Sequence, residues 1–506
     1  MSFQRCPQIP VERADIVTVH AKTKRVHHAD QFLGLGIAGL CINLKQRAGL
    51  GIVTRLHQIA GLFHIGTGRT GPKAKRYGYL AHVLCLFALQ ASAQITDDDY
   101  IDADPLQAEL GQLLFYDKIL SGNQNISCGT CHHHDLGGTD GLSLGIGEGG
   151  SGVGLDRTPG IGDGRIVKRI PRNAPALWNL GHRDIDTLFH DGRLMIADTY
   201  GNGFNSPAEE WLPQGLDNIV AAQALFPLTA QFEMAGNPRE NEIAGAIHDR
   251  IDTAWPILAK RVRTIPDYGN AFVQAFDHID EPSDVSIVEI ANALAAFITT
   301  EWRSFDSAYD AWLDGVPLPD AAERGRQIFF TSARCAACHA GPLFTDQDFH
   351  ALGLPAFGPG RTRPWDPMPR DVGRMGKTSL VADAYKFRTP SLRNVALSAP
   401  YGHNGAFPTL AAMIRHHADP AASRNVWTHM MAALPDVPWL AGADFIIQAD
   451  TAEMARQAAV PTAVGFSLSD QDINDLEAFL HALTGTTAKN RPLGRPDAVP
   501  SGLRVD

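Results

Sequence analysis

Two short stretches of this 506-residue chain combine residue types that can do chemistry. "SCGTCHHHDLGG", Ser127 to Gly138, holds Cys128 and Cys131 with His132 directly after the second thiol. "CAACH", Cys335 to His339, repeats the pattern much later in the chain, with Cys338 as its second thiol. Three chemistries use paired cysteines at this spacing. A thioredoxin-like disulfide needs the pair beside a βαβ pattern, which neither stretch has. A structural zinc can be held by two such pairs but has no use for a histidine after each second cysteine. A covalently attached haem does: the two thiols form thioethers to the porphyrin edge and the next imidazole reaches the iron. Two copies favour this third reading, with two haem c groups held through Cys128, Cys131 and His132 and through Cys335, Cys338 and His339. His133 and His134 read as a solvated flank.

The remaining cysteines and the charge support export. Cys6, Cys41 and Cys85 all lie within residues 1–93, so the four motif cysteines are the only ones after that point. Residues 1–93 carry a net charge of +9 and the rest −20, out of −11 for the whole chain. So acidic a body is a poor nucleic-acid binder. At the break, "KAKRYGYLAHVLCLFALQASAQ" has a basic start, an apolar run and a small-residue end before Gln94, the layout of a secretory signal over 73–93. Residues 1–72 then read as an over-extended start. The run "FLGLGIAGLCINL" at 32–44 is too short to span a bilayer, so no stable membrane insertion is expected. The expected location is the periplasm, where c-type haem is attached.

The elements that must position these motifs are mainly helical and recur. A helix-like stretch precedes each motif, "LQAELGQLLFYD" (106–117) and "AAERGRQIFF" (321–330). An R-x-P-x-L-x-N-like segment follows each, "RNAPALWN" (172–179) and the shorter "RTPSLRN" (388–394). Then "FHDGR" (189–193) is matched by "YGHNGAF" (401–407). Four features in the same order indicate two similar haem domains, 94–315 and 316–486, with a tail at 487–506. Apolar spacing predicts a helix over 286–300, and Ser469 with Asp472 forms a capping box for a last helix that stops at Gly485. Long Gly/Pro-rich loops, 136–165 and 353–376, separate the helices.

A second iron ligand separates electron storage from reaction with a small molecule. In "TLAAMIRHHADP", Leu410, Met413, Ile414 and His417 share one helical stripe, so His417 is the candidate partner of His339. His416 points about a quarter-turn away. From Asp135 to Gly181 there is neither histidine nor methionine, and "DGLSLGIGEGGSGVG" offers the first iron little beyond Glu148. An open coordination site is expected at the His132 haem.

Together these motifs resemble the bacterial dihaem cytochrome c peroxidase and MauG family over about residues 105–485. "FRTPSLRNVALSAPYGHNGAFPTL" (387–410) is especially similar to that family's pattern. The resemblance implies two cytochrome c-like α-helical domains with a calcium ion between the haems. It makes the first haem the peroxide site, with Glu233 as distal glutamate and Gln223 as active-site glutamine. A carboxylate there can take the proton from incoming peroxide and return it to the departing oxygen. Taken alone, Glu233 would be read as a surface acid. His403 matches a residue near the same pocket, or stabilises a turn. Asn173, with carbonyls of Ser398 and Pro400, matches the calcium ligands, and hard oxygens suit that ion.

Three departures from the family pattern stand out. The loop histidine that closes the first haem of classical peroxidases is missing from "SLGIGE", so the site is expected open in every redox state. His190 stands where a tryptophan usually lies between the haems. The stretch 194–218 is longer than its counterpart and carries Trp211, a possible inner aromatic or a core residue. The resemblance therefore implies reduction of H2O2 to water with electrons entering at the second haem, which the stripe reading of His417 makes bis-histidine where the family has methionine or tyrosine. Their source would be a small cytochrome c or cupredoxin. The alternatives are a MauG-like oxidation of side chains on a partner protein and a dihaem electron carrier without catalysis. The oligomeric state is left open.

Overall fold

The computed structural model describes residues 94–362, 366, 369–460 and 465–506. The expected signal segment, 73–93, lies outside them. The first helix, α1 (Pro105–Tyr116), starts where Asp104 accepts hydrogen bonds from the backbone N–H groups of Leu106 and Gln107 at 2.8 and 3.1 Å, with proline at the first helical position. A single turn, α2 (Cys128–Cys131), carries the first thiol pair. After it the chain runs in irregular loops to a small antiparallel meander, β1 (Thr187–Leu188), β2 (Leu194–Ile196) and β3 (Phe204–Asn205). Then come α3 (Ile219–Ala224) and the long α4 (Ile287–Glu301), capped by Ser286 and Glu289. The second half holds α5 (Asp320–Phe330), a strand pair β4 (Phe349–His350) with β5 (Phe387–Arg388), α6 (Leu410–Ala418) and α7 (Asp470–His481). The fold is mainly helical with few strands.

Two helix pairs form the frame. α1 packs on α4 and α5 on α7, each through a glycine pressed against the partner's backbone. A β-carbon at Gly111 would collide with the carbonyl of Ala293, and one at Gly325 with that of Asp475. These approaches are possible only without a side chain. The cores divide accordingly. One contains Leu110, Leu114, Phe115, Leu294 and Phe297, and the other Tyr309, Phe329, Phe344, Leu476 and Phe479. Ala488 and Val499 of the tail join the first.

The predicted capping box of α7 is present, Asp472 accepting from the Ser469 N–H at 2.8 Å, but the helix ends at His481 instead of running to Gly485. The 136–165 loop is anchored by Leu142, Leu144 and Ile146, all fully buried. Trp211 is half exposed at the surface, under the guanidinium of Arg250. Among the described residues no helix is long and apolar enough to cross a membrane.

Candidate active site

The second thiol pair sits on a tight turn, Cys335–Ala337, directly after α5 and its short connection. The His339 N–H closes that turn on the Cys335 carbonyl at 2.9 Å. The ring is then fixed by its Nδ1, 3.0 Å from the carbonyl of Phe344, with the Pro390 carbonyl as a further acceptor. Carbonyls only accept, so Nδ1 carries the proton and Nε2 is left as a lone-pair donor. His417 is set the same way, its Nδ1 2.9 Å from the carbonyl of Met413 one turn earlier on α6. The two rings face each other with centroids 6.4 Å apart. Two imidazole–metal bonds of about 2 Å plus two ring half-widths of about 1 Å come to about 6 Å, so the pair fits an iron between them. Burial, and for His339 also the other imidazole, holds both below the usual histidine range, His339 at about 4. Neutral rings are what metal ligation needs.

These residues line a cavity of about 780 Å3 with Cys335, Cys338 and apolar side chains such as Leu410 and Leu476. Arg388 also lines it; burial lowers its guanidinium to about 10, and its hydrogen bonds go to the carbonyls of Phe189 and Thr389. A buried cation bonded only to carbonyls suits an acidic cofactor edge. His416 faces the other way, fully buried, with Nε2 on the carbonyl of Leu352 at 2.8 Å.

The first thiol pair repeats the local geometry. The His132 N–H bonds the Cys128 carbonyl at 2.9 Å, and Nδ1 lies 3.0 Å from the carbonyl of Gly138, with Pro175 as the further acceptor. Thus the proline of each R-x-P-x-L-x-N-like segment serves the imidazole of its own motif. Burial pushes the Cys128 and Cys131 thiols up to about 12, and both are free. His133 and His134 are not a solvated flank. His133 is 4% exposed and its Nδ1 accepts from the Asp135 N–H. His134 is held at about 4 by burial and by Arg491.

Glu233 stands close enough to Cys131 for its charge to act on that thiol. It occupies a single π-helical turn, Gln231–Ala235, a conformation frequent at functional sites. Burial raises its carboxyl above the usual range, while Arg193 and Arg361 pull it back. The Gly-rich loop is pressed onto this turn, since a β-carbon at Gly147 would run into the Phe232 carbonyl. Gln223 lies on α3, which leads into the same turn through Pro227–Thr229. Glu148 is turned to Asn123 and Asn125, each at 2.7 Å.

Sequence reasoning missed two groups here. Asp140, 2% exposed and adjacent in charge to Cys131, is pushed up to about 7 by burial. Its signal, an acid inside a glycine-rich loop, is weak. Arg361 arrives from the second half of the chain and pairs with Asp191 at 3.2 Å, which no local pattern announces.

Asn173, His190, Ser398, Pro400 and His403 all line the His339/His417 cavity. The Asn173 side-chain NH2 donates to the Leu142 carbonyl at 2.7 Å, which turns its oxygen the other way. The Asn173 N–H bonds the His403 carbonyl at 2.9 Å, and His190 Nε2 lies 3.0 Å from the Asn173 carbonyl. Oxygen donors at this junction suit a hard cation. His403 stacks on Phe387 at 3.5 Å, and burial lowers it to about 3. It neighbours His190 and Asp371.

Comparison with known proteins bears directly on this arrangement. The family described as di-haem cytochrome c peroxidase matches residues 105–317. The methylamine utilization protein MauG of Methylorubrum extorquens is 29% identical over 322 residues, 62% of this chain and 70% of that protein. The cytochrome c551 peroxidase of Pseudomonas aeruginosa is 26% identical over 381 residues, 75% of this chain and 79% of that protein. These matches show what the chain is similar to: the dihaem cytochrome c peroxidase and MauG family. A solved structure, that of a MauG-like protein associated with microbial copper homeostasis, superposes with a TM-score of 0.53 at 27% identity, covering 80% of this chain and 96% of that one. The dihaem family that the chain resembles implies two haem c groups, and the two thiol pairs with their imidazoles fit such groups.

Proposed function

We propose that this chain is a dihaem c-type peroxidase that reduces H2O2 to water at its first haem. His339 and His417 would hold a second haem, which would supply the entry point for electrons. Cys128, Cys131 and His132 would hold the first group, and Cys335, Cys338 and His339 the second. When bound, the haem iron supplies the electrons that split the peroxide O–O bond. The protein's part is to bind, orient and move protons. The observation that carries the reading is the Glu233 carboxyl, set beside Cys131 on a turn locked by Gly147. Its raised affinity for protons suits a group that accepts one from peroxide and returns it to the departing oxygen. Gln223 is the candidate hydrogen-bonding neighbour, and His403, in the lining of the His339/His417 cavity, is the further candidate.

Further readings go with this one. The paired glycines, paired proline carbonyls and separate cores support two haem domains related by duplication, 94–315 and 316–486, with 487–506 as a returning tail. Asn173, Ser398 and Pro400 are proposed to hold one Ca2+. The expected compartment is the periplasm, and the donor a small cytochrome c or cupredoxin. Oxidation of a partner protein is the second reading, favoured by the 29% identity to MauG.

The test is the electron paramagnetic resonance spectrum of the oxidised protein before and after stoichiometric H2O2. One high-spin and one low-spin ferric signal, both lost on peroxide, is the expected result. Two low-spin signals indifferent to peroxide would refute the catalytic assignment. Steady turnover with a reduced cytochrome then separates a peroxidase from an oxidant of protein side chains.

A further inference from the structure

The cluster least explained by the two haem sites is a pair of buried tryptophans. Trp302 caps the end of α4 and is fully buried; Trp178 is 4% exposed. Their rings meet edge to face with centroids 5.0 Å apart. The Asn179 N–H bonds the Trp302 carbonyl at 2.8 Å and locks the two segments together. On one side, Trp178 lines the cavity of His339 and His417. On the other, Trp302 packs against Gly138, where an added β-carbon would lie 2.9 Å from its ring. Gly138 is the residue whose carbonyl takes the His132 Nδ1 proton. The pair therefore spans the distance between the two imidazole sites.

Packing alone does not account for two indoles. Among the described residues neither Nε1–H has a hydrogen-bond partner in the protein, and an orphaned buried donor costs stability. Phenylalanine would fill much of the same space without that cost. What indole adds is an extended, polarisable π system. His190, at the usual inter-haem position, is a single imidazole tied to the Asn173 carbonyl and offers no comparable system.

We infer that Trp178 and Trp302 form the electron bridge from the second haem to the first, replacing the route that position 190 would otherwise provide. This rests on the two-haem reading above. One electron at a time leaves the iron held by His339 and His417 and arrives at the iron held by His132. No bond or proton changes on either indole. Arg491 lies over both rings, 4.5 Å from Trp302 and 5.8 Å from Trp178, and Glu301 offsets its charge from 3.8 Å. A cation over the rings disfavours a positive ring radical, so the pair conducts without storing a hole.

The test is anaerobic pulse-radiolytic reduction of the holoprotein with no peroxide present, following electron arrival at each haem by its visible band. It therefore works even if the protein is not a peroxidase. Trp302→Phe and Trp178→Phe are expected to slow inter-haem transfer about tenfold or more, about 1.4 kcal/mol in barrier. The double variant should be no slower than the product of the two. Unchanged paramagnetic resonance spectra and haem potentials show that both sites are intact; Trp302→Tyr, retaining a large ring, should be intermediate. Tryptophan variants within twofold of the parent would overturn the proposal.

Discussion

Replacing Asp191 with asparagine should unfasten the two halves of the protein. Its side chain is fully buried and meets Arg172 Nη1 at 2.9 Å, Arg193 Nη1 at 3.1 Å and Arg361 Nη1 at 3.2 Å. Arg172 also grips Asp371 with two bonds of 2.7 and 2.8 Å. Arg361 and Asp371 belong to the second half, the others to the first. At about 3 Å and an effective dielectric of about 20, each pair is worth about 5 kcal/mol before desolvation. Desolvation of the buried charges cancels most of that sum. Breaking one partner of a buried network costs about 3–5 kcal/mol, because the remaining charges stay buried without a counter-ion. Arg361, with its side chain 40% exposed, belongs at the low end of this scale.

Burial pushes the Asp191 carboxyl up, but the three arginines outweigh it and hold it well below the usual range. A depressed carboxyl contributes stability that is present above its unfolded pKa of about 4 and is lost only as pH falls through the folded value. The gap between parent and Asp191→Asn should therefore persist from pH 8 to 5 and close only in strong acid. Thermal unfolding followed by haem absorbance and circular dichroism reads it, with an expected drop of about 6–20 °C at neutral pH. A midpoint within about 2 °C of the parent would refute the reasoning.

Glu233→Gln should slow the peroxide reaction by about 10²–10⁴. Because burial raises this carboxyl, the parent's rate should climb as pH rises through a value above the ordinary carboxylate range, and stopped-flow profiles of the variant should lack that limb. Gly147→Ala forces the Phe232 carbonyl aside and so displaces the Glu233 turn; peroxide reactivity should fall at least about tenfold while the low-spin signal of the second haem is unchanged. His417→Met should raise the potential of the second haem by part of the about 0.8 V that axial ligation spans, read by redox titration.

Residues whose meaning is local were legible in advance. A thiol–x–x–thiol–histidine run sets its own turn, and the histidine N–H closes on the first cysteine's carbonyl in both copies. The α6 stripe placed His417 on the cavity side because helical periodicity is short-ranged. His133 and His134 were misread because their burial depends on Arg491 and the tail, far away in sequence.

By itself, then, the chain's sequence determined where the thiols, imidazoles and helix caps fall, since those follow from spacing and from backbone hydrogen bonds a few residues apart. Only the tertiary structure decided that His339 and His417 stand 6.4 Å apart, that Asp191 collects arginines from both halves, and that Trp178 meets Trp302. Those distances arise from helices packing through Gly111 and Gly325 and from loops buried between them. Such contacts join residues whose separation along the chain carries no periodic signal.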